Sequence, residues 1–264
     1  MQEKLATIKN LLKEKKYSEL KEFLKMVNSI DISLFFDELS SENIIIIYRL
    51  LGKEEAAEVF TELDTDIKEK LIAALTDKEL KAVIDELYID DTVDIIEEMP
   101  SNVVKRILKH ISPEDRNIIN KLLQYPDDSA GSIMTTEFVD LKENMTVEEA
   151  QEKIKKIGLD SETVYNCYVL NLTRKIVGVV TLKQLLLSDL NEKIENIMDR
   201  DVLKVNTLAD QEAVANMFDK YNEYALPVVD NEDRLVGIIT IDDAIDVMQE
   251  EAEEDFEKME AVIP

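Results

Sequence analysis

Ile176-Val177-Gly178-Val179-Val180-Thr181 returns further along the chain as Leu235-Val236-Gly237-Ile238-Ile239-Thr240. Both stretches are apolar and rich in β-branched residues, and both follow a polar turn: Asn171 to Lys175 in one case, Asp230 to Arg234 in the other. Each is the second arm of a predicted hairpin, with Cys167-Tyr168-Val169-Leu170 and Leu226-Pro227-Val228-Val229 as first arms. Working outward, Glu149-Ala150 recurs as Glu212-Ala213 inside an amphipathic helix pattern, and Phe138-Val139-Asp140-Leu141 recurs as Val202-Leu203-Lys204-Val205. Ile133-Met134-Thr135-Thr136 recurs as Ile197-Met198-Asp199-Arg200. The predicted order is βαββα, twice. So small a unit cannot cover both faces of its sheet, so the copies are expected to pack on each other about a pseudo-twofold axis, with clefts between them.

This double repeat resembles the cystathionine-β-synthase (CBS) domain pair. The resemblance places the pair at residues 132–246, with repeats at about 133–187 and 197–246.

The first half keeps a different beat. Leu39, Leu51, Leu63, Leu75, Leu87, Met99 and Ile111 fall twelve residues apart. Most are followed by turn or cap residues, as in Leu63-Asp64-Thr65-Asp66, Leu75-Thr76-Asp77-Lys78 and Ile111-Ser112-Pro113-Glu114. Ser, Thr or Asp closes one helix and caps the next, with acids in the following first turn. Apolar pairs at helical spacing lie between the caps, such as Val83-Ile84-Leu87. Helices of about two turns cannot bury a face alone, so they are expected to stack into a superhelix.

Between the halves runs Tyr125-Pro126-Asp127-Asp128-Ser129-Ala130-Gly131-Ser132-Ile133-Met134-Thr135. This junction, the superhelix before it and the acidic helix after the CBS pair resemble, in that order, the MgtE family of magnesium transporters. The resemblance covers the whole chain. It implies an α+β architecture: a helical superhelix over 1–131, the CBS pair, and an acidic connecting helix over 247–264. It also implies a transmembrane pore domain as partner, absent from this chain, and the cytoplasmic face of a cell membrane as location.

Composition sets the outer limits. The 264 residues hold 58 acids and 31 bases, a formal net charge of −27. Nucleic acid is excluded as a natural partner, because neutralising phosphates takes clustered Lys and Arg. Anionic lipid is disfavoured for the same reason. Gly and Pro number five each, so helices dominate, and 45% hydrophobic residues argue against disorder. Cys167 is the only cysteine, which excludes an intrachain disulfide. The opening MQEKLATIKNLLKEKKYSEL has no signal-peptide core, and the longest apolar run, Ile44 to Tyr48, is far too short to span a bilayer. The polypeptide is expected to be soluble. No phosphate-cradling Gly loop, His-Glu-x-x-His or Ser/His/Asp arrangement is present, so no enzyme activity is expected.

The acids concentrate at the end. Asp242, Asp243, Asp246, Glu250, Glu251, Glu253, Glu254, Asp255, Glu257 and Glu260 share a stretch whose only base is Lys258. Ile241, Ala244/Ile245, Met248, Ala252, Phe256, Met259 and Ile263 form an apolar stripe along it, the pattern of one long helix with one buried seam. Asp242, Asp246, Glu250 and Glu254 repeat at i, i+4, and each such pair of like charges costs about 0.2–0.5 kcal/mol on an isolated helix. Carboxylate oxygens suit Mg²⁺, Ca²⁺ or Mn²⁺, and no EF-hand loop is present. Mg²⁺ keeps its waters and takes one or two carboxylates at a time, which fits shared sites between acidic surfaces. Residue chemistry alone leaves two readings open, divalent-cation sites or a solvated acidic face.

In the first half Asp90 and Asp94 share a helix face, and Glu58 falls on a preceding helix. Asp90 and Asp91 also suit a helix start as plain first-turn acids. The MgtE resemblance implies Mg²⁺ ligands at Asp90, Asp94, Glu212, Asp243, Asp246, Glu251, Glu254 and Asp255, facing one another across the ions. One family position falls on Asn222, which puts a site using it in doubt. CBS pairs also take adenosine nucleotides such as ATP, through a Thr or Ser followed three residues later by an Asp that holds the ribose hydroxyls. Thr240 and Asp243 match that pattern, whereas Thr181 is followed by Gln184; Tyr168 is the candidate for stacking an adenine. The favoured reading is a homodimeric Mg²⁺ sensor that closes a pore. An adenosine-nucleotide sensor and a static scaffold are the alternatives.

Overall fold

A computed structural model describes residues 1–260, and among side chains those of 1–252 and 256. Two compact units emerge: residues 1–87 with 91–117, and residues 88–90 with everything from Ile118 onward.

The helices of the first half are α1 (Gln2–Lys13), α2 (Tyr17–Leu24), α3 (Ser29–Phe36), α4 (Ser41–Leu50), α5 (Lys53–Thr61), α6 (Thr65–Ala74), α7 (Asp77–Ile84), α8 (Ile89–Glu98), α9 (Ser101–Leu108) and α10 (Pro113–Leu122). From Tyr17 to Pro113 every helix begins twelve residues after the last. Helices stack on the next but one: α3 on α5, α5 on α7, α7 on α9, with α2, α4 and α6 forming the other column. Polar contacts link helices two or three places apart along the chain. Lys4 pairs with Asp31 at 2.7 Å, Arg49 with Glu79 at 3.0 Å, Lys109 with Asp77 at 3.0 Å, and Ser29 donates to Glu58 at 2.7 Å. Exposed pairs of this kind add little, typically below about 1 kcal/mol each. The stabilising term is the seam of Leu20, Ile32, Phe36, Ile47, Phe60, Leu71 and Leu80, each at most 2% exposed. Full burial of such side chains is worth roughly 1.5–3 kcal/mol apiece before entropy is counted.

Capping follows the expectation only in part. Asn28 and Thr76 accept from backbone N–H groups of α3 and α7, and Thr76 forms a reciprocal box with Glu79. The side chains of Ser40 and Asp64 make no cap hydrogen bond, and Gly52 starts α5 with Glu55 reaching back to its N–H at 2.9 Å. The division between the units falls within α10, earlier than residue 131, because Ile118, Leu122 and Tyr125 line up with Met134 and Leu235 of the second unit.

The second half contains β1 (Phe138–Lys142), α11 (Val147–Ile157), β2 (Thr163–Leu170), β3 (Ile176–Thr181) and α12 (Leu182–Leu187), then α13 (Ile194–Ile197). The second copy follows as β4 (Val205–Asn206), α14 (Gln211–Tyr221), β5 (Ala225–Val229), β6 (Leu235–Thr240) and α15 (Ile241–Glu260). Two three-stranded sheets result, β1-β2-β3 and β4-β5-β6, each with a parallel pair and an antiparallel hairpin. The predicted βαββα order is present in both copies. β4 is shorter than the expected strand over Val202–Val205. Where Tyr168 pairs with Asp140 of β1, the second copy has Pro227, which brings no N–H to the ladder, and pairing with β4 begins only at Val205 and Val228.

The copies are joined by exchanged edges. Thr135, ahead of the first copy, bonds in both directions with Ile238 of β6, at 2.8 and 2.9 Å. Asp199, ahead of the second, does the same with Val179 of β3. Met134 and Met198 then lie over the two hairpin glycines: a Cβ on Gly237 would meet the Met134 sulfur at 2.6 Å, and one on Gly178 the Met198 sulfur at 2.5 Å. Tyr168, Leu170, Ile176, Ala225, Leu235 and Ile238 form a core shared by the two copies. At the junction, Gly131 lies against the Tyr125 ring, where a Cβ would come within 2.5 Å, and its N–H reaches Thr207 O at 2.9 Å.

Candidate cation-binding surfaces

Helix α15 begins directly after β6. Thr240 donates its N–H and its hydroxyl to one Asp243 carboxylate oxygen, at 3.1 and 2.5 Å. Ala244 and Val247 are buried, and α15 packs on α14. The buried seam is therefore narrower than the predicted stripe. Ile241, Ile245 and Phe256 remain 37%, 45% and 61% exposed, while the side chains of Met259 and Ile263 lie outside the described residues.

On the outer face Asp242, Asp246 and Glu250 follow at one-turn steps, all exposed. The Asp246 carboxyl is pushed above the ordinary Asp range, first because surrounding protein strips water from one side of it, then because Asp242 repels it. On the flank facing α14, Glu251 accepts from Gln211 Nε2 at 3.3 Å; the same amide reaches Asp128 of the junction at 3.5 Å. Gln211 is only 7% exposed, so this amide fixes where α15, α14 and the junction meet. Glu212, exposed, is its neighbour in the first turn of α14. Gln211 thus links Glu251 to Asp128, while Glu212 follows it on the exposed side of the first turn of α14. Gln211 is the residue that sequence reasoning missed. Its signal was a polar residue in phase with Val214, Ala215 and Phe218 on the buried face of α14.

Glu58, in the first unit, is exposed on α5 and is held by Ser29, whereas α8 is divided between the units, with Asp90 in the second and Asp94 in the first. Asp90 and Asp94 stand one turn apart on α8, half-buried and exposed respectively. Glu254 and Asp255 fall on α15, but their side chains lie outside the described residues. Among the described residues no three His, Cys, Asp or Glu side chains converge as they would around one ion. Donors of this kind, all carboxylate and spread over surfaces, fit a hydrated Mg²⁺ that borrows one or two ligands, and do not fit a closed cage. Asn222 terminates α14 in the left-handed conformation at φ 54°, which Asn tolerates better than most residues.

The nucleotide motif differs between the copies. In the first, Gln184 Oε1 accepts the N–H and hydroxyl of Thr181, both at 2.8 Å, and its Nε2 donates to Ile197 O at 3.1 Å. That amide is fully engaged with its own fold. Tyr168 is a correction to the sequence reading. It is 1% exposed, meets Phe138 edge-on and hydrogen-bonds Ala225 O at 3.4 Å, so it presents no open ring face for an adenine to stack on. Cys167 is buried with its thiol pushed up to about 12 by desolvation, which makes it unreactive.

The model of the MgtE intracellular N domain matches residues 27–128, and that of the CBS domain matches 130–190 and 194–250. The crystal structure of the cytosolic domain of the Mg²⁺ channel MgtE in complex with ATP is 33% identical and superimposes with a TM-score of 0.87, over 92% of this chain and 99% of that one. This chain belongs to the MgtE family. The crystal structure of the soluble part of a magnesium transporter is similarly close, with 31% identity and a TM-score of 0.86 over 96% of this chain and 99% of that one. The magnesium transporter MgtE of Thermus thermophilus is 35% identical over 99% of this chain, and this chain spans 59% of its length. The MgtE of Enterococcus faecalis is 31% identical, again over 99% of this chain and 58% of its own length. The matched portion is the cytosolic part of MgtE, an N domain followed by a CBS pair, in a family of transporters rather than enzymes. Among the described residues no helix is long and apolar enough to cross a membrane.

Proposed function

We propose that this chain is the Mg²⁺-sensing regulatory region of a magnesium transporter, in which Mg²⁺ bridges acidic surfaces and the bridged form holds an attached pore closed. The observation that carries this reading is α15: like charges stacked at one-turn steps on a helix of a magnesium-transporter fold, with the Asp246 carboxyl raised first by desolvation and then by repulsion from Asp242. A cation relieves that repulsion, and it shifts a conformational equilibrium only as far as it binds one state better than the other. The partner is a second copy of the chain. Leu186 and Leu187 on α12, Ile241 and Ile245 on α15, and Tyr224 beside them are large exposed apolar side chains on the helices of both CBS copies, a surface suited to a homodimer.

A second reading, adenosine-nucleotide sensing, is favoured by the ATP in the complex of the similar MgtE domain and by the Thr240–Asp243 pair. In this chain the second copy alone carries the carboxylate version of the motif, which restricts that reading to one cleft per chain. Titrating Mg²⁺ and ATP separately, with limited proteolysis over 125–136, sedimentation and small-angle scattering as readouts, tests both. The sensor becomes more compact and more resistant with Mg²⁺, beyond a K⁺ control of equal ionic strength. Response to ATP alone supports the second reading, and response to neither leaves a static scaffold.

A further inference from the structure

We propose that a groove beside the second hairpin, distinct from the acidic surfaces and from the Thr240–Asp243 motif, binds a small organic anion with an apolar body. The groove encloses about 420 Å³, within the range of small-molecule sites, and all its lining belongs to the second unit. Its floor is apolar, built by Leu122 from the last turn of α10, Met134 from the exchanged edge, and Leu235 with Val236 from β6. Its rim carries three bases, Lys121, Arg174 and Arg234, and one acid, Asp230.

Asp230 is already committed. One of its oxygens takes Arg234 Nε at 2.9 Å, and the other accepts the N–H groups of Glu232 and Arg234 at 2.8 and 3.0 Å. Arg234 is thereby neutralised and fixed. Lys121 and Arg174 have no carboxylate partner among the described residues. In a chain of net charge −27, two unpaired cations over one apolar floor select an anion and repel Mg²⁺. Arg174 is also held in place: it occupies a left-handed turn position at φ 64°, and its carbonyl accepts from Leu235 N at 3.1 Å. Thr136 and Tyr125 also line the groove, so each brings a hydroxyl-bearing side chain to its wall. The groove takes up the hairpin-turn end of β6, whereas Thr240 ends that strand at its other extremity, roughly 16 Å away at about 3.3 Å per residue.

The probe is 8-anilinonaphthalene-1-sulfonate, with uncharged N-phenyl-1-naphthylamine as control, each followed by fluorescence titration on the whole chain. The expected result is saturable binding of the sulfonate, weakened about tenfold or more in Lys121→Ala/Arg174→Ala, as loss of charge-assisted contacts implies. The uncharged compound is expected to bind both proteins alike. Val236→Trp, which fills the floor while keeping the bases, is expected to abolish binding of both compounds, with thermal melts confirming that each variant is folded. Equal sulfonate affinity in wild type and double variant, or undiminished binding to folded Val236→Trp, overturns the proposal. Because Mg²⁺ response is not read, failure here leaves the sensor reading untouched.

Discussion

Replacing Asp246 by Asn separates metal binding from simple charge crowding. Asp246 has Asp242 one turn before it and Glu250 one turn after it on α15. Each like-charge pair at that spacing costs about 0.2–0.5 kcal/mol, so removing both returns roughly 0.4–1 kcal/mol. Partial exposure of the side chain argues for the lower half of that range. For a unit of this size, a kilocalorie moves the melting point by about 2–4 °C, so Asp246→Asn should melt about 1–2 °C higher in EDTA. The sign agrees with the raised carboxyl. A folded-state pKa above the unfolded one favours the folded form at low pH and disfavours it as pH rises through that pKa. The metal-free wild type therefore carries at neutral pH a penalty that the variant lacks. With Mg²⁺ the order reverses. The wild type gains RT ln(1 + [L]/Kd) per site present only in the folded form, about 2.7 kcal/mol at a hundredfold excess over Kd, and the variant gains less. Calorimetric melts of both proteins, with EDTA and with Mg²⁺, read the two quantities independently. A variant no more stable in EDTA refutes the crowding argument; an unchanged Mg²⁺ increment refutes Asp246 as a ligand.

Glu251→Ala behaves differently from its neighbour: it deprives the buried Gln211 amide of an acceptor, so the metal-free protein should lose about 1 kcal/mol or more by denaturant titration, with Glu251→Gln recovering part of it. Gly237→Ala forces a methyl onto the Met134 sulfur and should destabilise the CBS pair by about 1–3 kcal/mol, which Met134→Ala in the same chain should partly relieve in a melt. Thr76→Ala breaks a reciprocal cap and should cost the superhelix about 1 kcal/mol, read as a lower urea midpoint. Cys167 should resist maleimide at pH 8 in the native protein and react fully once unfolded; rapid native labelling would contradict its burial.

The superhelix was legible because its period is written twice, in the apolar residue that ends each helix and in the helix start that follows. Even helices whose cap side chains stay idle, at Ser40 and Asp64, begin on the beat. The CBS pair was legible because a repeated hairpin with a glycine at one fixed place leaves little alternative. What the sequence hid depended on partners distant along the chain. Gln211 meets Glu251 and Asp128 only after folding, and Pro227 shortens β4 through a neighbour in the sheet. Tyr168 was misread for a similar reason: its surroundings come from both copies, which bury it. The candidate acids were legible as a composition, since charge crowding on α15 follows from spacing alone. Which side chains they meet was not, because Glu251 finds the Gln211 amide forty residues away on another helix.

The exchanged edges at Thr135 and Asp199 bear on how such a protein can be inherited and cut. Each copy completes its sheet with backbone borrowed from the segment that introduces the other. A gene fragment encoding a single copy would leave an open strand edge and an uncovered glycine, a template for clumping rather than a smaller working part. Shuffling by recombination is therefore expected to move the two copies together, and a break between 188 and 193 should yield halves that are soluble only when produced side by side.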